Sequence, residues 1–213
     1  MRGTSATLLL QRLLLLSMVV GCAPKAPPLR GTLAPARLPE AELPSVHRRV
    51  VFQWSYSDND FRMRGEGVAR VAPPDSVRLD FFVSGGLGGG RALLIDDELR
   101  AEGEDKVRRL LPPVPLLWAS LGRLKIPAAS DTVARVDADT LRVDIGVDPR
   151  WRTTFVGTQL RRLELIENQR VPQWVSRDSV GNVSYQNTRA RRKLEITLTR
   201  VDTVPAFDAT IWH

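Results

Sequence analysis

The chain has 213 residues, room for one ordinary domain plus an export segment, and carries 31 Lys+Arg against 24 Asp+Glu for a formal net charge of +7. Its single cysteine, Cys22, excludes an intramolecular disulfide and leaves one thiol for any catalytic or metal-binding role. The two histidines, His47 and His213, stand in no spacing that suits zinc or a serine triad.

The N-terminus sets the compartment. Met1, Arg2 and Arg12 bracket a short basic start, followed by the apolar run LLLLSMVV (Leu13 to Val20) and by VVGC (Val19 to Cys22). A basic start, a short apolar region and a small residue before the cut read as an export signal over residues 1–21, too short for a spanning helix. A cysteine directly after Gly21 resembles a bacterial lipobox, in which that cysteine is lipidated and becomes the mature N-terminus; the alternative is a plain secretory signal with a stray cysteine. The resemblance implies three acyl chains on Cys22. At roughly 0.8 kcal/mol per buried methylene they anchor the protein to the membrane. The next residue is Ala23, not Asp, which by analogy with proteobacterial sorting implies the outer membrane, facing the periplasm. No cofactor beyond this covalent lipid is expected. Removing residues 1–21 leaves 29 Lys+Arg against 24 Asp+Glu. That mild positive charge suits anionic headgroups or acidic partners. The RARRK run, Arg189 to Lys193, leads into an alternating strand, and no nucleic-acid partner is expected for an exported protein.

Residues 22–45 carry Pro24, Pro27, Pro28, Pro35, Pro39 and Pro44 and predict an extended, semi-rigid tether that holds the body away from the anchor. Residues 46–213 form one β domain. Val50, Phe52, Trp54 and Tyr56 recur at every second position, as do Phe61, Met63, Gly65, Gly67, Ala69 and Val71. Val77, Leu79, Phe81 and Val83 continue the pattern, then Leu141, Val143, Ile145 and Val147, then Leu194, Ile196 and Leu198. Period two with one apolar face predicts half-buried antiparallel strands. Turn chemistry at Ala72 to Asp75, Asp96 to Glu98, Asp137 to Asp139 and Ser179 to Asn182 predicts a meander. Gly65 and Gly67, on the apolar face, signal either a bend in the strand or room for an acyl chain.

One segment breaks the alternation. In PPVPLLWASLGRLKIPA (Pro112 to Ala128), Val114, Leu117, Trp118 and Leu121 fall at i, i+3, i+4 and i+7 and predict one helical face, with Pro115 in the first turn and Gly122 as its stop. Glu104 to Arg109 reads as a further helical turn. The expected fold is mainly β, a curved antiparallel half-barrel whose one or two short helices, between the fourth and fifth strands, cover the concave face. The expected cavity lining is Met63, Val77, Leu79, Phe81, Leu117, Leu121, Leu141 and Val143.

Lipobox, tether, meandering half-barrel and mid-chain helix together resemble the LolA/LolB-type lipoprotein localisation fold. DSVRLDFFVSGGLGGGRALLI (Asp75 to Ile95) resembles its strand, leucine-bearing turn and returning strand, and Pro112 to Ala128 resembles its helix segment. Ser184 to Asp208 is closer to LolA-like lipoproteins of other bacterial phyla. The resemblance implies that Leu87, set among Gly85, Gly86, Gly88, Gly89 and Gly90, is displayed for membrane or cargo transfer; a leucine folded back onto the sheet is the alternative. The implied partners are lipoprotein or lipid acyl chains and a periplasmic carrier protein. No active site is expected. GGLGGG lacks the spacing and lysine of a phosphate loop, and Asp96 to Glu98 and Asp58 to Asp60 read as solvated turns rather than calcium sites. Two functions stay open: a carrier or receptor that holds acyl chains and delivers them to the outer membrane, and a scaffold that binds a protein partner.

Overall fold

The computed structural model describes residues 23–86, 88–103 and 105–213, so Cys22 and Leu87 lie outside the described residues. Thirteen strands form one sheet: β1 (Thr32–Ala34), β2 (Arg48–Ser57), β3 (Arg62–Ala72), β4 (Ser76–Val83), β5 (Gly89–Ile95), β6 (Glu98–Gly103), β7 (Thr132–Asp137), β8 (Thr140–Ile145), β9 (Arg150–Val156), β10 (Gln159–Glu167), β11 (Arg170–Arg177), β12 (Val183–Asn187) and β13 (Arg192–Thr203). Two helices, α1 (Asp105–Leu110) and α2 (Val114–Ser120), lie between β6 and β7. They therefore follow two strands more than the alternation predicted, β1 and β6.

All pairings are antiparallel, and the sheet does not close, because β1 and β6 are its edges. The four predicted turns are all present, joining β3 to β4, β5 to β6, β7 to β8 and β11 to β12. The meander is broken at two pairings: β1 pairs with β7 at one edge, and in the middle β13 pairs with β2, from Arg48↔Thr203 to Ser57↔Lys193, joining the two halves of the chain across the longest sequence separation in the sheet. Alternation along β2 points Phe52, Trp54 and Tyr56 into the core and Gln53 and Ser55 outward. Those three rings meet Val77, Leu79, Phe81, Leu94, Phe155, Leu163, Tyr185 and Leu194 in the main core cluster.

Antiparallel order sorts the turns onto two rims. The first rim carries the β2–β3, β4–β5, β8–β9, β10–β11 and β12–β13 turns; the second carries β3–β4, β5–β6, β7–β8, β9–β10 and β11–β12. The Pro-rich segment is not the free tether expected of it. The Ala26 amide donates to the Gln169 carbonyl at 2.8 Å, Val171 N–H to Pro24 O at 2.9 Å, and Arg170 Nη1 to Ala23 O at 2.9 Å. Farther along, Arg152 Nη1 donates to Pro27 O at 2.6 Å while its other nitrogens hold Asp144 at 2.6 and 2.9 Å. Ala26 is buried with Ile166 and Val171, and Ala41 and Leu43 join the main core. Prolines keep this segment extended, but β1, backbone bonds and buried small side chains fasten it to the sheet.

Candidate functional site

The site is built where α2 lies across the sheet. Pro115 sits in the first turn of α2, where its missing N–H is no loss. Its end is a Schellman closure: Gly122, at φ 93°, donates to Ala119 O, and Arg123 N–H donates to Trp118 O, both at 3.0 Å. Gly122 is thus the helix stop that its position implied. The amphipathic stripe is replaced by burial on all sides, since Leu116, Leu117, Trp118, Ala119 and Ser120 are all buried. The reason lies on both flanks of the helix. Trp118 Nε1 donates to Asp96 O at 2.8 Å in the β5–β6 turn, Leu124 N–H donates to Ala41 O at 2.8 Å, and Arg123 pairs with Glu42 at 3.0 Å and stacks over the Trp118 ring. Lys125 pairs with Asp96 and Asp97, so the acidic turn expected to be merely solvated acts as a clamp on the helix segment.

Between α2 and the sheet lies an apolar cavity of ≈ 130 Å³. Its walls come from β2, β3, β4, β11, β12 and β13 and from the helix segment, with Phe52, Phe81, Tyr185, Leu194 and Ile196 prominent. The Phe52 and Phe81 rings meet edge to face at 5.7 Å, and Trp54 meets Phe81 at 5.9 Å, so this side is stiff. Of the residues picked from the sequence, Leu79, Phe81, Leu117 and Leu121 line the cavity. Val77, Met63 and Leu141 pack in or against the same core without reaching the cavity, and Val143 belongs to a separate cluster with Ala134 and Ile145. Gly65 and Gly67 do not leave room for an acyl chain. A Cβ on Gly67 would overlap the Phe52 ring, and one on Gly65 would overlap the Phe82 carbonyl beside Trp54. Cross-strand aromatic rings already occupy the space those glycines free.

Two charged residues line the cavity, Arg48 and Arg177. Arg48 begins β2 at the same parity as Val50 and Phe52, and Arg177 ends β11 at the same parity as Val175, so strand periodicity turns both inward. That parity was the available signal for them. The Arg177 Nε is buried and has no hydrogen-bond partner among the described residues. Burial, reinforced by the nearby Arg161 charge, pulls the Arg177 guanidinium below its ordinary pKa, against the attraction of Asp178. The Asp178 carboxylate is engaged elsewhere: it accepts from the Val180, Gly181 and Asn182 amides and from Asn182 Nδ2, all between 2.8 and 3.0 Å.

The remaining candidates have structural partners. Asp58 caps the β2–β3 turn by accepting from Asp60 and Phe61 N–H at 2.8 and 3.0 Å, and accepts from Tyr56 O–H. His47 meets Phe207 edge-on at 5.5 Å, and Phe207 in turn meets Trp212. Among the described residues no group of three or more His, Cys, Asp or Glu could hold a metal ion, and no helix is long and apolar enough to cross a membrane.

No family model and no curated protein sequence matches this chain. Solved structures do resemble it. The LolA superfamily protein NE2245 from Nitrosomonas europaea superposes with a TM-score of 0.52 at 8% identity, covering 82% of this chain and 93% of that one. A DUF1329 family protein from Desulfovibrio piger matches at 0.46 and 8% identity, covering 79% and 90%. A domain described provisionally as an outer membrane lipoprotein-sorting protein, from Vibrio parahaemolyticus, matches at 0.45 and 6% identity over the same shares, and these two scores are too low to argue from. An open, curved antiparallel sheet with short helices inserted across it, superposing over most of both chains, is a LolA-like fold.

Proposed function

We propose that this protein is an outer-membrane lipoprotein that binds an acyl chain of a lipoprotein or lipid between α2 and the sheet, and helps deliver it to the membrane. The observation that carries this reading is the apolar cavity itself, walled by six strands and the helix segment of a LolA-like fold. Its size constrains the mechanism. An apolar cavity of about 150 Å³ stays dry and accepts benzene, and this one is ≈ 130 Å³. It holds a short piece of one chain as it stands, so a complete chain enters only when the helix segment shifts outward.

Lipidation of Cys22 supplies the anchor. Because Ala23 to Ala26 are bonded to the β10–β11 hairpin, acyl chains on Cys22 bring the first rim close to the bilayer rather than releasing the body on a long tether. The same rim carries the glycine-rich β4–β5 turn, so in this reading Leu87 is presented to the membrane the anchor selects. A periplasmic carrier protein would supply the cargo.

The alternative is a scaffold that binds a protein partner, and it draws on the burial of Leu116 to Ser120, five of the seven residues of α2, which makes the helix part of the core. An apolar dye separates the two. Titrated with N-phenylnaphthylamine, the Cys22→Ser chain should show saturable fluorescence enhancement that palmitate competes away, and native mass spectrometry after gentle purification should find bound lipid. Absence of both signals favours the scaffold.

A further inference from the structure

From the arginine pair we infer that the cavity selects amphiphiles with an anionic head, a carboxylate or a phosphate monoester on an acyl chain, and that Arg48 and Arg177 bind that head. This deepens the acyl-chain reading and rests on it.

The argument starts from the chemistry of guanidinium. Arginine cannot escape burial by losing its proton, so a guanidinium at an apolar wall needs a counter-charge or hydrogen-bond acceptors. Among the described residues, no carboxylate is paired with Arg48 or Arg177. The nearest acid in sequence, Asp178, has its carboxylate tied up by the amides of its own turn. Arg161 adds positive charge beside Arg177 and directs its own Nη1 to the Asp178 carbonyl.

Local backbone makes room for this arrangement. A Cβ at Gly122 would overlap the Arg177 guanidinium, whereas one at Gly181 would crowd Leu198 Cδ1 at 2.9 Å and only touch Arg177 Nη2 at 3.6 Å. Both glycines are also at positive φ, and at the helix stop the missing side chain of Gly122 lets the Arg177 guanidinium pack directly against the backbone.

The polarity is directional. Arg48 pairs with Thr203 at the second rim, and Gly181 lies in the second-rim β11–β12 turn. Phe81, Tyr185 and Leu194 line the cavity farther toward the first rim. An apolar tail laid along Phe81 and Tyr185 thus leaves its head at Arg48 and Arg177. Guanidinium is suited to such a head because its planar fork matches both carboxylate and phosphate oxygens.

The test uses the full chain carrying Cys22→Ser and four probes: laurate, dodecyl phosphate, dodecanol and inorganic phosphate, followed by isothermal titration calorimetry. Laurate and dodecyl phosphate should bind at least about tenfold more tightly than dodecanol, as a charge-assisted hydrogen bond implies. Inorganic phosphate alone should bind far more weakly than dodecyl phosphate. Arg48→Gln and Arg177→Gln should each erase most of that preference by weakening laurate and dodecyl phosphate far more than dodecanol, and Arg177→Lys should keep part of it. Melting curves establish that each variant is folded. Equal affinity for all three dodecyl probes would overturn anionic selection and leave the acyl-chain reading standing. Inorganic phosphate binding as tightly as dodecyl phosphate would overturn the amphiphile. Loss of dodecanol binding in step with the anions would make the arginines structural. No binding of any dodecyl probe would remove both readings together.

Discussion

Individual residues show how tightly the inner face of the sheet is filled. Gly67 lies opposite Phe52 in the β2–β3 register, and the ring of Phe52 rests where a Gly67 side chain would be. A methyl group there must push the ring toward the cavity it already lines. Gly67→Ala is therefore expected to destabilise the fold by about 1–3 kcal/mol, the usual range for overpacking. Urea denaturation followed by tryptophan fluorescence measures it, and a neutral or stabilising result would show that Phe52 yields without cost. Arg152 shows the opposite strategy on the outer face. It is almost fully buried, but Asp144 and the Pro27 carbonyl satisfy it, so its charge fastens the N-terminal segment instead of awaiting a ligand. Arg177 contrasts with it by lining the cavity with a buried Nε that has no such partner among the described residues.

At the level of the element, α2 is the piece on which function turns. It is seven residues long, too short to be stable by itself, and its geometry comes from packing against β10 and β11 and from the Asp96 turn and Ala41 on its flanks. Such a helix moves only if the contacts around it are exchanged for others of similar strength, such as those with an acyl chain. Leu117 is buried and faces the cavity. Leu117→Ala should cost about 2–4 kcal/mol through lost contacts and enlarged void. The same variant should bind N-phenylnaphthylamine more tightly than the parent because the space is enlarged. Chemical denaturation and dye titration read the two effects separately. Lower stability with unchanged or weaker dye binding would mean that the helix collapses into the void and that the cavity is packing space alone.

For the whole molecule, the two-rim arrangement makes an orientation testable. Docking of residues 23–27 on β9 to β11 shortens the path from Cys22 to the first rim, and the Pro-rich segment beyond them folds back over the sheet. In vesicles carrying the acylated protein, a nitroxide on Asn59→Cys in the β2–β3 turn should collide more with membrane oxygen than one on Val180→Cys in the β11–β12 turn, which should collide more with an aqueous nickel complex. Equal accessibilities at both positions would indicate a body free to tumble on its anchor, as an undocked tether would allow.

The sequence alone determined five of the strands by their alternation (β2, β3, β4, β8 and β13), four of the turns, the α2 helix and its glycine stop. Each depends on contacts within a few residues: alternation that exposes one apolar face, turn residues that accept the required backbone angles, and a 3.6-residue apolar spacing. It also placed Leu79, Phe81, Leu117 and Leu121 on apolar faces, and the structure brings these four around one cavity. Only the tertiary structure decided how the halves of the sheet join, because β13 finds β2 through side chains distant in sequence. It likewise decided that the Pro-rich segment docks, since composition reports a segment's stiffness but not the buried alanines and carbonyls that hold it. Arg48 and Arg177 were legible as inward-facing positions, yet their importance was not. Whether an arginine has a counter-ion depends on which carboxylates the fold brings near it, and here the adjacent Asp178 is already occupied by its own turn.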